Sequence, residues 1–137
     1  MGTKFAEITI KNSYDDGKVR EGLIDQLDVS SASVQAVVDT GSMSLVVNEE
    51  LQQKLGIKTM RKRFAYVVNG QQSPCDETEP VKIYWKDRYS ALNGAVISGE
   101  KTVLLGAIPL EDMDLMVNPV TRELVGIHGD SVECFAY

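Results

Sequence analysis

The chain has 137 residues, 43% of them hydrophobic, which is enough for one domain with a real core, and 1–137 reads as a single domain. Its net charge is −6 with a pI near 4.8, and its 14 basic residues are scattered apart from Lys58, Arg61, Lys62 and Arg63, which argues against a nucleic-acid surface. No apolar run reaches about 18 residues and no basic region precedes a hydrophobic stretch at the N-terminus, so no membrane partner or signal peptide is expected and the protein reads as cytoplasmic.

In chain order, the first strand is punctuated by Phe5, Ile8 and Ile10. The cluster Asn12-Ser13-Tyr14-Asp15-Asp16-Gly17 is expected to end it as a turn, with a hairpin following. Val19 to Ile24 and Leu27-Asp28-Val29 are less regular. Ser30-Ser31-Ala32-Ser33 is expected to break the pattern before a strand from Val34 to Val38. Asn48 has the chemistry of a helix N-cap, followed by Glu49 and Glu50 in a first turn, Leu51 and Leu55 on one face and Gly56 as a stop, which predicts a helix from Glu49 to Leu55. Phe64 to Val68 leads into Asn69-Gly70, a type I′ hairpin signal, with Gln71-Gln72-Ser73 as the return. Lys58 to Arg63 reads as a solvated strand face.

Val81, Ile83 and Trp85 alternate with Lys82, Tyr84 and Lys86, the pattern of a half-buried strand. Asp87-Arg88 turns it towards a partner from Tyr89 to Ile97, interrupted at Asn93-Gly94. Ser98 to Lys101 is a turn and Thr102 to Leu105 a strand. Pro109 fits the first turn of a short helix through Met113. Leu115-Met116-Val117 and Glu123-Leu124-Val125 form a last hairpin around Asn118-Pro119. These elements predict an all-β fold, a small, mostly antiparallel closed barrel with one or two short helices. Cys75 and Cys134 lack metal spacing and are expected as two reduced thiols. His128 lies among loop residues and is assigned no role, so neither a metal site nor a serine-histidine pair is supported, and no cofactor is expected.

The stretch most able to carry chemistry is Val37-Val38-Asp39-Thr40-Gly41-Ser42. A strand runs into an acid just where it becomes a loop, and a shielded carboxylate needs a partner or it protonates. On the tripeptide alone, Asp39 or Thr40 bonding its own backbone in an ordinary turn is the simpler reading. The flanks add Leu45-Val46-Val47, a helix ending Lys54-Leu55-Gly56-Ile57, and Val103-Leu104-Leu105-Gly106 followed by Leu110. Together these residues resemble a retropepsin-type aspartic protease of clan AA. The opening Met1 to Ile8 and the segment Leu105 to Leu115 resemble its single-domain bacterial members, and the likeness runs from Met1 to about Val125.

That resemblance implies an aspartic endopeptidase in which two carboxylates share a proton about one water. The chain holds the Asp-Thr-Gly motif once, so two copies must meet on a two-fold axis, each giving one Asp39, with Thr40 buttressing the loop and Gly41 allowing close approach of the backbones. Asp39, Thr40 and Gly41 are the implied catalytic residues. Ser42, Val68, Asn69 and Gly70 are the implied substrate-binding residues, the last three at the tip of a flap over bound peptide, and the Ser42 hydroxyl is placed to donate to the Asp39 carboxylate. The implied partners are a peptide or protein substrate and a second copy of the chain. The sequence departs from the viral pattern at Gly106-Ala107-Ile108, where viral members carry Arg and an acid or amide. The apolar tail Val132 to Tyr137 suits inter-subunit pairing as well as a frayed end. A different class of function stays open: a non-catalytic peptide-binding or dimerisation module on the same fold, with Asp39 a structural anchor.

Overall fold

The computed structural model describes residues 4–66, 70–97 and 99–129. Period-two alternation shapes β1 (Lys4–Asn12), where Ala6, Ile8, Ile10 and Asn12 turn inward. Phe5 is out of phase with that set and stands 53% exposed. The turn and hairpin expected after β1 are replaced by helix α1 (Ser13–Arg20). The turn-forming Asn12 serves as its N-cap, its side chain accepting from the Tyr14 N–H at 2.9 Å, with Asp15 and Asp16 in the positive first turn and Lys18 and Arg20 in the last.

A single 3-10 turn (Gln26–Asp28) leads to β2 (Ser31–Val38). Contrary to expectation, the serine run belongs to this strand. Ser31 and Ser33 face outward, Ala32 faces inward, and the antiparallel register with β1 is unbroken from Lys4 opposite Val38 to Lys11 opposite Ser31. Pairing along a whole neighbouring strand outweighs the local preference of serine for turns.

Strand β3 (Leu45–Val47) and helix α2 (Glu49–Leu55) follow. Asn48 caps the helix by accepting from the Leu51 N–H at 2.8 Å, and Gly56 ends it in the left-handed region at φ 64°, both as the sequence predicts. Strands β4 (Thr59–Tyr66), β5 (Gln72–Trp85) and β6 (Arg88–Ile97) form a meander. The return strand and the Val81 strand, expected as separate pieces, are one continuous β5 of 14 residues. Its prolines are tolerated because Pro74 lies before the first β6 pair and Pro80 sits where the register shifts. The Asn93-Gly94 interruption is absent as well: β6 runs through it, and the Gly94 N–H donates to the buried Thr78 hydroxyl at 2.9 Å beside that shift.

The chain ends in β7 (Leu104–Leu105), α3 (Ala107–Asp112) and the hairpin β8 (Leu115–Val117) and β9 (Leu124–Gly126). The main sheet runs β1-β2-β7-β3-β6-β5 and closes on itself through a β5–β1 pairing, with β4 outside on β5. The result is all-β with short helices and mostly antiparallel pairing, the exceptions being β2–β7 and β3–β6. Inside the ring Ile8, Ile10, Ala36, Leu45, Val81 and Leu105 are enclosed. Among the described residues no helix is long and apolar enough to cross a membrane.

Asn12 ties two elements distant in sequence, since its Nδ2 also donates to Leu55 O at the end of α2, 2.9 Å away. Asn12→Ala, which removes the cap and orphans a buried carbonyl, is expected to cost about 2–3 kcal/mol in urea unfolding. Asn12→Ser, which keeps an acceptor for Tyr14, is expected to cost about half as much.

Candidate active site

The loop after β2 has no regular structure of its own, and backbone contacts hold it. Asp39 N donates to Leu105 O at 3.1 Å and Ser42 N to Asp39 O at 3.0 Å. On the other side Gly106 N reaches Ser44 O at 3.0 Å, Ala107 N reaches Ser42 O at 2.7 Å, and Ile108 N reaches Met43 O at 3.0 Å. Gly106 has an ordinary negative φ, so its need for glycine is steric: a Cβ there would collide with Ser44 O and lie 2.6 Å from Ser42 O. The sequence pattern of two apolar residues and a glycine thus has a local cause.

Asp39 itself is half-buried. Its Oδ1 accepts from the Gly41 N–H at 3.0 Å, and an added Cβ on Gly41 would stand 3.3 Å from that oxygen. The donor expected from Ser42 is therefore supplied here by a backbone amide two residues on, the geometry of an Asx turn, and among the described residues the Ser42 hydroxyl does not bond the carboxylate. Thr40 is exposed in the single chain.

Beside this loop a cleft of about 400 Å³ opens between Gly41 to Ser44 on one side and the β4–β5 hairpin with β6 on the other. Gly41 and Ser42 line it, together with residues to which the sequence reading assigned no site role: Met43, Arg63, Phe64 and Glu77. The available signal was the opposition of β4 and β5, which places Arg61 across from Glu77 and Arg63 across from Cys75. Gly70 is exposed with φ 80° and is not among the lining residues. Val68 and Asn69 lie outside the described residues, as do Cys134 and the Val132 to Tyr137 tail. The hairpin itself is present, but Tyr66 pairs with Gln72, whereas a two-residue Asn69-Gly70 turn would pair it with Ser73. Slipping β4 by one along β5, whose facing is set by β6, would break the opposition of Arg61 and Glu77.

Cys75 is a buried free thiol, and burial first, then Asp76, pushes its pKa up, leaving it a poor nucleophile. Around the loop stand exposed apolar side chains: Phe5, which pairs with Val37, then Met43 and Ile108, which share a backbone bond. Below α3, buried Arg88 donates to the carbonyls of Met113 (3.0 Å), Asp114 (2.8 Å) and Gly129. Asp114 in turn bonds the His128 ring at 2.6 Å and the His128 N–H at 3.1 Å, so His128 has a structural role that its loop neighbours concealed. Burial works to raise the Asp114 pKa, but the two His128 bonds, with the charges of His128 and Arg88, outweigh it and hold the carboxyl below its usual range. No group of metal-ligating side chains occurs among the described residues.

The chain belongs to the aspartyl protease family, whose model matches residues 26–129, a span that includes both the Asp39 loop and Gly106. Within that family its fold is retropepsin-like. The EIAV protease complexed with the inhibitor HBY-793 is 18% identical, with a TM-score of 0.56 over 81% of this chain and 88% of that one. The retroviral protease-like domain of Ddi1 from Leishmania major is 13% identical, with a TM-score of 0.55 over 91% and 88%. A retropepsin-like aspartic protease from Rickettsia conorii is 18% identical, with a TM-score of 0.47 over 86% and 89%. No curated protein matches the chain by sequence.

Two outcomes follow from the geometry. Gly106→Ala must push the Asp39 loop off its backing and is expected to cost about 3 kcal/mol in denaturant unfolding. For Asp114, a carboxyl with a lowered folded-state pKa adds stability above the unfolded-state value near 4 and loses it as the pH falls through the folded-state value. The stability gap between wild type and Asp114→Asn, read from melting temperatures, is therefore expected to be largest near neutrality and to close below about pH 4.

Proposed function

We propose that the chain is an aspartic endopeptidase that acts as a homodimer, each copy of the 1–137 domain giving one Asp39 to a shared site. The observation that carries this reading is the fixed position of the Asp39 carboxylate. It leaves β2 two residues before Gly41, where the loop begins to line the cleft, bonded to the Gly41 N–H and backed by Gly106, in a loop ringed by exposed Phe5, Met43 and Ile108; Asp39 itself is not among the lining residues. Exposed apolar side chains gathered around a half-buried acid suit a contact between copies that completes the site. Thr40 would buttress the paired loops from the same surface. Gly70 and the rest of the β4–β5 hairpin tip, with Val68 and Asn69, would close over bound peptide, and Ser42 would face it from the loop.

With two Asp39 carboxylates about one water, the ionised one takes a proton as the water oxygen attacks the scissile carbonyl. The protonated one donates to the carbonyl oxygen, giving a tetrahedral diol. The first carboxyl then gives its proton to the amide nitrogen while the second carboxylate takes one from a diol hydroxyl, so that the carbon–nitrogen bond breaks, acid and amine leave, and one proton is again shared by the pair. The chemistry needs neither metal nor organic cofactor. A cytoplasmic setting belongs to the same proposal, and the free thiol of buried Cys75 fits it. Of the basic residues of β4, Arg61 lies against Glu77 and Lys62 against Asp76, which breaks up the basic stretch and favours peptide, rather than nucleic acid, as the fitting partner.

Asp39→Asn is near-isosteric but cannot accept the proton from water. It is expected to lower kcat/KM by on the order of 100-fold or more with an unchanged melting curve. A variant that cuts an unstructured protein at the wild-type rate would remove Asp39 from the mechanism and leave a binding or dimerisation role. Turnover per chain and the sedimentation-derived dimer fraction, followed over one dilution series, are expected to fall together. A monomer with full turnover would rule out the shared site.

A further inference from the structure

The cleft beside Asp39 carries a charge pattern that the hydrolytic chemistry does not use. Its lining holds one cation, Arg63, and one anion, Glu77, among otherwise neutral residues. Glu77 is committed. Arg61, which does not line the cleft, contacts both of its oxygens, with Nη2 3.5 Å from Oε1, and the Asn93 side chain adds a further bond. Accordingly the Glu77 carboxyl is held below its usual range, chiefly by the Arg61 hydrogen bond. It stays ionised and is neutralised from outside.

Arg63 is in a different position. Its guanidinium approaches Glu77 only to 3.9 Å, beyond hydrogen-bonding distance, and its side chain is 57% exposed. The neighbouring acid, Asp76, is engaged by Lys62 at 3.6 Å. With Arg61 and Glu77 cancelling, the cleft keeps one unit of positive charge with hydrogen-bond donors turned to solvent, in a chain whose overall charge is −6. On the face that Arg63 shares with Cys75 and Ile97, the exposed apolar side chain of Met43 and the side chains of Val46 and Ile97 lie in the same lining, while Phe64, the next residue of the strand, turns to the other face. An apolar trough ending in a guanidinium matches a side chain with an aliphatic stem and a carboxylate tip.

We propose that Arg63 is a specificity-determining residue that selects peptides with an acidic side chain, Glu or Asp, at the position entering this cleft. The stem lies along Met43 and Ile97, and the carboxylate meets the guanidinium. The inference rests on the peptide-cleaving reading, under which a dimer has two such clefts, so the acidic preference falls at symmetric positions on either side of the scissile bond.

The test separates binding from cleavage. Peptides differing only by Glu or Gln at successive positions are titrated against Asp39→Asn protein at low salt by fluorescence anisotropy, while wild-type protein is assayed for cleavage of the same set. The Glu peptide is expected to bind about five- to tenfold more tightly at the matching positions, with the preference shrinking as salt rises. Adding R63Q is expected to abolish the preference and R63E to transfer it to Lys. K62Q, on the same strand but engaged with Asp76, is expected to leave it unchanged. Equal binding of Glu and Gln peptides, binding of neither, or a preference that survives R63Q would overturn the assignment. A preference that R63Q abolishes in a wild type that cleaves nothing would keep Arg63 and defeat the proteolytic reading instead.

Discussion

The loop that carries Asp39 and the segment from Val103 to Ile108 hold each other in place through backbone atoms, and the rest of the site is set by that mutual grip. Besides the strand pairing of β7 with β2 and β3, backbone hydrogen bonds run from Val37, Asp39, Gly106, Ala107 and Ile108 to carbonyls of the opposite segment. None of them depends on a side chain, so the arrangement constrains sequence mainly where bulk is forbidden, at Gly106. A loop tied at these points is held without being a helix or strand, and the Gly41 N–H bond fixes the Asp39 carboxylate within it.

Around that grip the ring supplies direction. Strand β2 lies between β1 and β7, and β7 lies between β2 and β3, so the chain enters and leaves the Asp39 loop through the two strands that flank β7 in one sheet. Leu45, Val46 and Val47 are all buried, as befits a central strand with a parallel neighbour. The cleft is formed where β6 and the β4–β5 hairpin rise beside this loop. Its charge is decided by which residues of β4 face Glu77 and which face Asp76, so the register of an outer hairpin controls the electrostatics of the site.

Features governed by short-range chemistry were legible in the sequence: the Asn48 cap and Gly56 stop of α2, the strand into Asp39, and the final hairpin. Features governed by distant partners were not. Asn12 to Gly17 holds residues that suit a turn as well as a helix start, and the contact that fixes Asn12, with Leu55 O, is 43 positions away. Ser31 to Ser33 became strand because β1 was there to pair with. Phe5 marks the first strand together with Ile8 and Ile10 but is exposed, because its phase relative to those two puts it on the other face. At the site, the Asp39 loop stood out as a motif, while Arg63 was hidden inside what read as a solvated basic stretch and Glu77 meets it only through the pairing of β4 with β5. The Arg88, Asp114 and His128 network joins three segments and has no signature within any one of them.

The pairing of Val37 with Leu104 and Val38 with Leu105 is parallel, and it joins residues 67 positions apart. Closing so long a loop is slow compared with forming the neighbouring β5–β6 hairpin, whose Trp85 and Arg88 pair across two residues. During synthesis the strand leading to Asp39 leaves the ribosome long before the segment that holds its loop. Until Ile108 has emerged and β7 has slotted between β2 and β3, the carboxylate has a strand behind it but no fixed setting. The order of translation thus delays completion of the loop's setting until most of the ring has been made, a form of timing that follows from topology.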